Sequence, residues 1–226
     1  MPSTSKIAFV TIGQTPRIDV VPEMMAEIGI GLPEGRVGFR EFGVLDGMGP
    51  TELDAMRAVD GEHSFATRLK SGQEIVTSKA RTEEKLNVLL KTIDAQGFDL
   101  VVLLCTGTTI DPLENTLVVE AQRIVDSTVE ALAASSRKLG VILPLERQVK
   151  DFADRHVFSG EPKFVAASPY AGDDIGERAK TLEGCDLIVM HCMGYSAGML
   201  DEVRRAVDAP VLLSRRVVAG VVRQMI

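Results

Sequence analysis

The stretch Asp99-Leu-Val-Val-Leu-Leu-Cys-Thr-Gly-Thr-Thr109 indicates the architecture of this chain. Its run from Leu100 to Cys105 carries no charge, and a small polar turn follows it. Short apolar runs that end in turn residues are typical of strands covered on both faces, as in a parallel sheet. We therefore expect Cys105 at the carboxyl end of a strand, the edge at which open α/β sheets bind their ligands.

A second copy of this stretch occurs 87 positions later, as Asp186-Leu-Ile-Val-Met-His-Cys-Met-Gly-Tyr-Ser196. Two strand-end cysteines in matching contexts, Cys105 and Cys192, predict a duplicated α/β lobe with a site between the copies. Cys185 precedes its strand and is better explained by packing. The identical aligned pairs are Gly97/Gly184, Asp99/Asp186, Leu100/Leu187, Val102/Val189, Cys105/Cys192 and Gly107/Gly194.

The composition limits the class of protein. With 226 residues, of which 45% are hydrophobic and 25% charged, the chain is long enough for one large domain or two small lobes of a soluble protein. It has no Trp and only two Tyr, and its net charge is −7, which argues against a nucleic-acid partner. A local basic pocket for a small carboxylate remains compatible with that charge.

The cysteine count and the N-terminus predict a cytoplasmic location. The first residues lack the apolar core of a signal peptide, and the first apolar run is too short for a membrane span. Three cysteines without a C-x-x-C pair give no disulfide framework. The scattered histidines show no metal-ligand spacing, and no Walker loop occurs. We therefore expect no metal, no cofactor and no membrane partner, and the sequence is compatible with a homo-oligomer.

The residues after the first predicted strand, Lys6 to Ile12, form a candidate binding turn, Gly13-Gln-Thr-Pro-Arg17. Thr15 as N-cap and Pro16 at the first helical position predict a helix that begins there. The turn is expected at the same sheet edge as the cysteines. Arg17 is a candidate for bidentate pairing with a substrate carboxylate, and the alternative is an exposed arginine in the first helical turn.

Two cysteines that face each other across a pocket suit proton transfer. One, as thiolate, removes a proton from a carbon next to a carboxylate or carbonyl, and the other, as thiol, donates a proton to the opposite face. Cys105 and Cys192 are both expected to precede a helix or turn that presents free N–H groups, which lowers the pKa of a thiol. The alternative for each cysteine alone is core packing as a small hydrophobe.

The intermediate of such a reaction is enolate-like and needs N–H and hydroxyl donors around its oxygens. His191 adjoins Cys192 but is expected on the opposite face of its strand, either packed in the core or supporting the residues of the site. Other side chains beside the two cysteines could supply the donors, and turn closure is the alternative for each. They are Thr106, Thr108 and Thr109 after the first cysteine, and Tyr195 and Ser196 after the second.

Four segments of the chain resemble the AroM family, within the aspartate/glutamate/hydantoin racemase superfamily, and the resemblance covers nearly the full length. The second turn, Met193-Gly-Tyr195, differs from the small Thr-containing turn typical of amino-acid racemases, which argues against an amino-acid substrate. The four segments are Ile12-Gly-Gln-Thr-Pro-Arg17, Leu103-Leu-Cys-Thr-Gly107, Met190-His-Cys-Met-Gly-Tyr195 and Pro210-Val-Leu-Leu-Ser214.

The resemblance implies two pseudo-symmetric α/β lobes, each a mainly parallel sheet flanked by helices, with the active site in the cleft. It predicts an N-terminal lobe of residues 1–121 plus 215–226, whose last helix crosses back, and a C-terminal lobe of residues 122–214. It assigns the acid/base roles to Cys105 and Cys192. The predicted substrate-binding residues are Gly13, Gln14, Thr15, Arg17, Thr106, Gly107, Thr108, Thr109, Met193, Gly194 and Tyr195.

The leading hypothesis is a cofactor-independent racemase, epimerase or isomerase of a small carboxylate-bearing molecule. The superfamily also contains maleate isomerases, in which one cysteine adds to the substrate, and arylmalonate decarboxylases, which retain one cysteine. A single-cysteine isomerase or decarboxylase is therefore the first alternative. A non-catalytic small-molecule-binding or regulatory protein with the same cleft is the second.

Overall fold

Each copy of the repeated stretch forms a strand of its own sheet. The computed structural model describes residues 4–134, 138–155 and 162–226, so the other residues of the two predicted lobes lie outside the description. The first half comprises β1 (Ser5–Thr11), α1 (Val21–Ile28), β2 (Val37–Gly43), α2 (Pro50–Met56), β3 (Ser64–Arg68), β4 (Glu74–Ser78), α3 (Lys79–Asp94), β5 (Leu100–Leu103) and β6 (Leu117–Glu120). The second half comprises α4 (Ala121–Ala133), β7 (Leu139–Leu143), α5 (Gln148–Arg155), β8 (Lys163–Ala166), α6 (Ile175–Ala179) with a 3-10 turn (Lys180–Leu182), β9 (Leu187–Met190), α7 (Ala197–Ala206), β10 (Val211–Leu213) and α8 (Ser214–Gln224).

Two parallel four-stranded sheets form the framework, in the orders β2-β1-β5-β6 and β10-β9-β7-β8. The repeated strands β5 and β9 both have a neighbouring strand on each side. A strand in the interior of a parallel sheet is covered on both faces, which explains why both copies are continuously apolar. The predicted α/β class, with two mainly parallel sheets flanked by helices, is confirmed.

The repeated strands end just before their cysteines. β5 ends at Leu103 and β9 at Met190, so Cys105 and Cys192 each lie two residues beyond a strand. In both copies the residue before the cysteine still donates a backbone hydrogen bond to the neighbouring strand, at 2.8 and 2.9 Å. Each cysteine is therefore fixed at the carboxyl edge of its sheet, although it belongs to the turn and not to the strand.

One apolar cluster joins the two sheets. It contains Phe9 and Val102 from the first sheet and Val141 and Val189 from the second, together with the buried face of α8. Helix α8 contacts both α1 and α4. Because each fully buried side chain of this size stabilises the fold by about 1.5–3 kcal/mol, this shared cluster holds the two sheets in a fixed relation.

The helix predicted from Pro16 is wrong in its start, since α1 begins only at Val21. The N–H and hydroxyl groups of Thr15 do not cap a helix. Both donate to the carboxylate of Asp46, at 2.8 and 2.7 Å, which ties this turn to the segment after β2. A side chain that is distant in sequence has thus overridden the local capping preference.

The short runs Phe65 to Leu69 and Gln73 to Thr77, joined by Lys70-Ser-Gly72, predict a β-hairpin. This hairpin is confirmed, and it bridges the two halves of the chain. Strands β3 and β4 pair antiparallel, with Phe65 opposite Thr77. On the first lobe, the backbone N–H of Gln14 donates to Arg68 O at 3.1 Å. On the second, Gln148 Nε2 of α5 donates to Ser64 O at 3.1 Å. The hairpin therefore lies over the edge at which both cysteine turns emerge.

Candidate functional site

Both cysteines line one cavity between the lobes, with a volume of about 60 Å³. Cys105 reaches it from the first lobe and Cys192 from the second, and both are half-buried free thiols. A space of this size accommodates a few water molecules or a small organic molecule. The strand ends, the hairpin and helix α5 all contribute to its wall.

The Cys105 thiol is held in its protonated form. Burial raises the pKa of this thiol to about 12, the backbone N–H of Gly107 opposes the shift, and the neighbouring Cys192 adds to it. The expected lowering of the pKa is therefore wrong for Cys105. The physical reason is that the turn after it leads to β6 at Leu117 and not into a helix, so no helix N-terminus offsets the loss of solvation.

The Cys192 thiol has a more electropositive setting. Burial raises its pKa as well, so the expected lowering is wrong here too. However, the N–H of Gly194 donates to its Sγ at 3.3 Å, and the positive charges of Arg17 and Arg215 favour the thiolate. Because two guanidinium groups act on this sulfur, Cys192 is the better placed of the two thiols to carry a negative charge.

Arg215 holds the turn that carries Cys192, and the sequence reasoning missed it. Its side chain is 1% exposed at the start of α8. It donates to Met193 O at 3.1 and 2.9 Å and to Gly194 O at 3.1 Å, and it is paired with Glu23 of α1 at 2.7 Å. The helical periodicity of the sequence could have indicated its burial, because Arg215 occupies position i of the buried i, i+3, i+4, i+7 face of α8.

Arg17 lies in the wall of the cavity, but the N–H donors of its guanidinium group are already bonded to other residues of the protein. It is 3% exposed, so the alternative of an exposed arginine is excluded. Its Nε and Nη2 atoms bind Asp19 at 2.9 and 2.8 Å, and Nη1 donates to Thr11 Oγ1 at 2.7 Å. Although burial by itself raises the pKa of Asp19, Arg17 holds that pKa below its usual range. The bidentate edge expected for a substrate is occupied by this carboxylate.

Tyr170, in the loop after β8, is a further residue of the wall that the sequence reasoning missed. Its hydroxyl accepts a hydrogen bond from Arg17 Nη2 at 3.1 Å. The phenol lies directly against Gly194, where an added Cβ would come within 2.3 Å of its oxygen. Glycine is therefore required in the turn after Cys192 by this contact. Burial raises the pKa of Tyr170, so the hydroxyl keeps its proton at neutral pH.

Three of the predicted binding residues contact other segments of the chain and do not belong to the cavity wall. An added Cβ on Gly13 would lie 2.5 Å from Arg68 O, so glycine lets the hairpin approach this turn. Gln14 donates to Leu45 O and accepts from the N–H of Lys70. Thr15 is held by the carboxylate described above. The side chains of Gln14 and Thr15 are therefore already hydrogen-bonded within the protein.

Some residues of the two cysteine turns line the cavity, and others are buried in the core or bonded elsewhere in the protein. Tyr195 is buried in the second lobe, and its hydroxyl donates to Ala167 O at 2.7 Å. The N–H of Thr109 donates to Glu83. Thr108 is buried, and its hydroxyl has no hydrogen-bond partner among the described residues. The predicted residues that do line the cavity are Arg17, Cys105, Thr106, Gly107, Cys192, Met193 and Gly194.

His191 also lines the cavity, although it was expected on the face of its strand that points away from the site. It is 2% exposed, and its Nε2 lies 2.7 Å from Asp126 Oδ1 of α4. Its backbone carbonyl accepts a hydrogen bond from Thr106 Oγ1 at 3.3 Å, which connects the two cysteine turns. The imidazole is therefore a fixed part of the wall beside Cys192.

A comparison with protein-family models matches residues 7–226 to the family described as AroM protein. The chain belongs to the AroM family. The match spans both sheets and includes Cys105 and Cys192, well beyond the four segments that suggested it. A search of curated proteins finds no match.

Solved structures share the fold of this AroM protein at low sequence identity. Maleate isomerase Iso from Pseudomonas putida S16 has a TM-score of 0.60 and 10% identity over 99% of this chain and 93% of that one. Allantoin racemase from Klebsiella pneumoniae has a TM-score of 0.58 and 12% identity over 98% and 87%. A double mutant of arylmalonate decarboxylase in its liganded form has a TM-score of 0.56 and 15% identity over 98% and 92%. This likeness establishes the fold and, at such identities, no activity.

Two further findings concern the described ranges 4–134, 138–155 and 162–226. No helix in them is both long and apolar enough to cross a membrane. They hold no group of three or more His, Cys, Asp or Glu side chains arranged to bind a metal ion.

Replacing Arg215 tests its role in the second cysteine turn. Arg215→Met leaves the carbonyls of Met193 and Gly194 without their donor in a buried place, and we expect the free energy of unfolding to fall by about 2–4 kcal/mol. Arg216→Met is the matched control, because Arg216 is the exposed neighbour on the same helix. Urea denaturation measures both, and equal stabilities of the two variants would contradict the role.

The pH dependence of alkylation tests the ionisation of Cys105. Because its pKa is raised to about 12, only a small thiolate fraction exists at neutral pH. We expect the rate of its reaction with iodoacetamide, followed on the Cys105 peptide by mass spectrometry, to rise about tenfold per pH unit from about pH 7 to pH 10. A rate that levels off below about pH 8 would show a low-pKa thiol and contradict the assignment.

Proposed function

We propose that this AroM-family protein is a cofactor-independent racemase, epimerase or isomerase that moves a proton on a small carboxylate-bearing molecule. One observation carries the proposal: two free thiols, one from each lobe, share a single small cavity, and the ionisation of one affects the pKa of the other. The likeness to a racemase and to an isomerase supports the same chemistry. Cys105 and Cys192 are the proposed acid and base.

The electrostatic setting assigns the first step to Cys192. Its thiolate, favoured by Arg17 and Arg215, takes the proton from the carbon next to the carboxylate. As the C–H bond breaks, its electron pair moves into the carboxylate and forms an enolate-like intermediate. Cys105, which burial keeps protonated, then gives its S–H proton to the opposite face and becomes the thiolate. The reverse reaction, or exchange with solvent, restores the starting protonation.

The negative charge that develops on the substrate oxygens requires donors in a dry site. Tyr170 is the proposed donor, because its oxygen accepts from Arg17 and its own proton has no acceptor among the residues that the structure describes. Arg17 polarises this phenol through the same hydrogen bond and adds a positive charge 5.8 Å from the ring. This role is an alternative to the direct carboxylate pairing expected from the sequence.

A single-cysteine reaction is the second candidate, and one observation favours it. Both thiols have raised pKa values, so the resting site presents two proton donors and no thiolate. A protonating thiol is what a decarboxylase with one essential cysteine requires. The likeness to arylmalonate decarboxylase agrees with this reading. A non-catalytic binding protein would keep the cleft and need neither sulfur.

Substitution of each cysteine separates these functions. In deuterium oxide, we expect the protein to exchange the proton on the carbon next to the carboxylate or carbonyl of at least one member of a panel of amino acids, hydantoins and dicarboxylates, as read by NMR. Because two-base chemistry needs both sulfur atoms, Cys105→Ala and Cys192→Ala should each slow this exchange by about 10²–10⁴-fold.

Cys185→Ala is the control, since this buried cysteine belongs to the core of the second lobe. We expect it to leave the exchange rate within about twofold of the original. Retention of full activity by one of the two cavity variants would favour the single-cysteine reaction. Ligand-induced stabilisation that survives both substitutions, with no exchange in any variant, would favour a binding protein.

A further inference from the structure

Strand β3 carries two buried hydroxyl groups that the mechanism above does not use. Ser64 and Thr67 lie in the wall of the cavity that holds both cysteines. They are 4% and 1% exposed. Neither Ser64 Oγ nor Thr67 Oγ1 has a hydrogen-bond partner within the described part of the chain. They are therefore two unpaired polar groups in the wall of the cavity that holds Cys105 and Cys192.

An unpaired buried hydroxyl is a cost to the folded protein. Most buried polar side-chain atoms have a hydrogen-bond partner, and loss of that partner leaves the full penalty of desolvation. Valine has the shape of threonine and alanine nearly that of serine, so the same wall could be built without this penalty. Two such groups in a ligand cavity indicate that their partner arrives with the ligand.

The backbone around these hydroxyls holds them in place. An added Cβ on Gly13 would lie 2.5 Å from Thr67 Oγ1, so Thr67 is pressed against the turn after β1. An added Cβ on Gly107 would likewise lie 2.9 Å from the ring of Phe65. At the other end of the strand, Gln148 Nε2 fixes Ser64 O. Groups held in this way bind a ligand without the cost of ordering flexible side chains.

The charges in the wall indicate which kind of group these hydroxyls receive. Arg17 is paired with Asp19 at 2.8 Å, and Lys79 lies 3.8 Å from Glu83. Both cations of the wall therefore already have a carboxylate partner. A hydroxyl carries no charge and can both donate and accept a hydrogen bond, so each of these side chains matches an uncharged donor or acceptor on the ligand.

We propose that Ser64 and Thr67 are specificity-determining residues, which bind an uncharged hydroxyl or carbonyl group that the substrate carries in addition to its carboxylate. This inference rests on the proposed function, because it takes the cavity of the two cysteines as the substrate site. It narrows the substrate class from carboxylates in general to hydroxy- or oxo-carboxylates. The hairpin then selects the substrate, and the cysteine turns act on it.

The first experiment measures stability without any ligand. Thr67→Val and Ser64→Ala remove an unpaired hydroxyl and keep the packing, so we expect the melting temperature of each free variant to rise by about 2–4 °C. Thr67→Ser keeps a hydroxyl and serves as the control for altered packing. A fall in melting temperature in both Thr67→Val and Ser64→Ala would show that the hydroxyls already stabilise the free protein, and it would overturn the proposal.

The second experiment measures binding by thermal shift with matched acids at about 50 mM. The pairs are lactate and 3-hydroxypropionate against propionate, and malate against succinate. We expect the hydroxylated member to stabilise the wild-type protein more, with an affinity advantage of at least about tenfold, which Thr67→Val and Ser64→Ala each abolish and Thr67→Ser retains. No advantage in the wild type, or an advantage that survives both substitutions, would overturn the proposal.

This readout separates the inference from the proposed function. Thermal shift requires neither turnover nor a thiolate, so the hydroxyl preference is also measured in Cys105→Ala. A preference that persists while no variant exchanges deuterium would leave the binding inference intact and remove the catalytic proposal. Deuterium exchange without any hydroxyl preference would leave the catalytic proposal intact and remove the binding inference.

Discussion

The guanidinium group of Arg215 donates to the carbonyls of Met193 and Gly194, and its pairing with Glu23 ties this turn to α1 of the first lobe. The same Glu23 carboxylate accepts from the first N–H of α7. Three elements from both halves of the chain therefore meet at one buried cation. Because buried carbonyls must keep their donors, the position of the second cysteine turn follows from this contact.

Burial determines the chemistry that the two thiols can perform. It raises the pKa of both, so the site stores protons in its resting state and must form a thiolate against the loss of solvation. The positive charges of Arg17 and Arg215 reduce that cost at Cys192, while Cys105 lies beside the opposite charges of Lys79 and Glu83. Pseudo-symmetric lobes thus give an asymmetric pair, which suits one acid and one base.

The framework was predictable from the sequence because it rests on local patterns. The repeated apolar run predicted both parallel sheets, and the hairpin followed from two short strands around a glycine. The site was predictable only in part. Tyr170, Ser64 and Asp46, the partner of Thr15, are placed by contacts between segments that are distant in sequence. No local sequence pattern predicts such contacts. The lowered thiol pKa was wrong for the same reason, since solvation depends on what the other lobe covers.

Two-base proton transfer requires that the sulfur atoms of Cys105 and Cys192 face one another across a single cavity. Treatment with the short bis-alkylating reagent 1,3-dichloroacetone at alkaline pH, followed by peptide mass spectrometry, measures this directly. We expect one covalent bridge between the Cys105 and Cys192 peptides, absent in Cys192→Ala and unaffected in Cys185→Ala. Independent single adducts on the two cysteines, with no bridge between them, would contradict it.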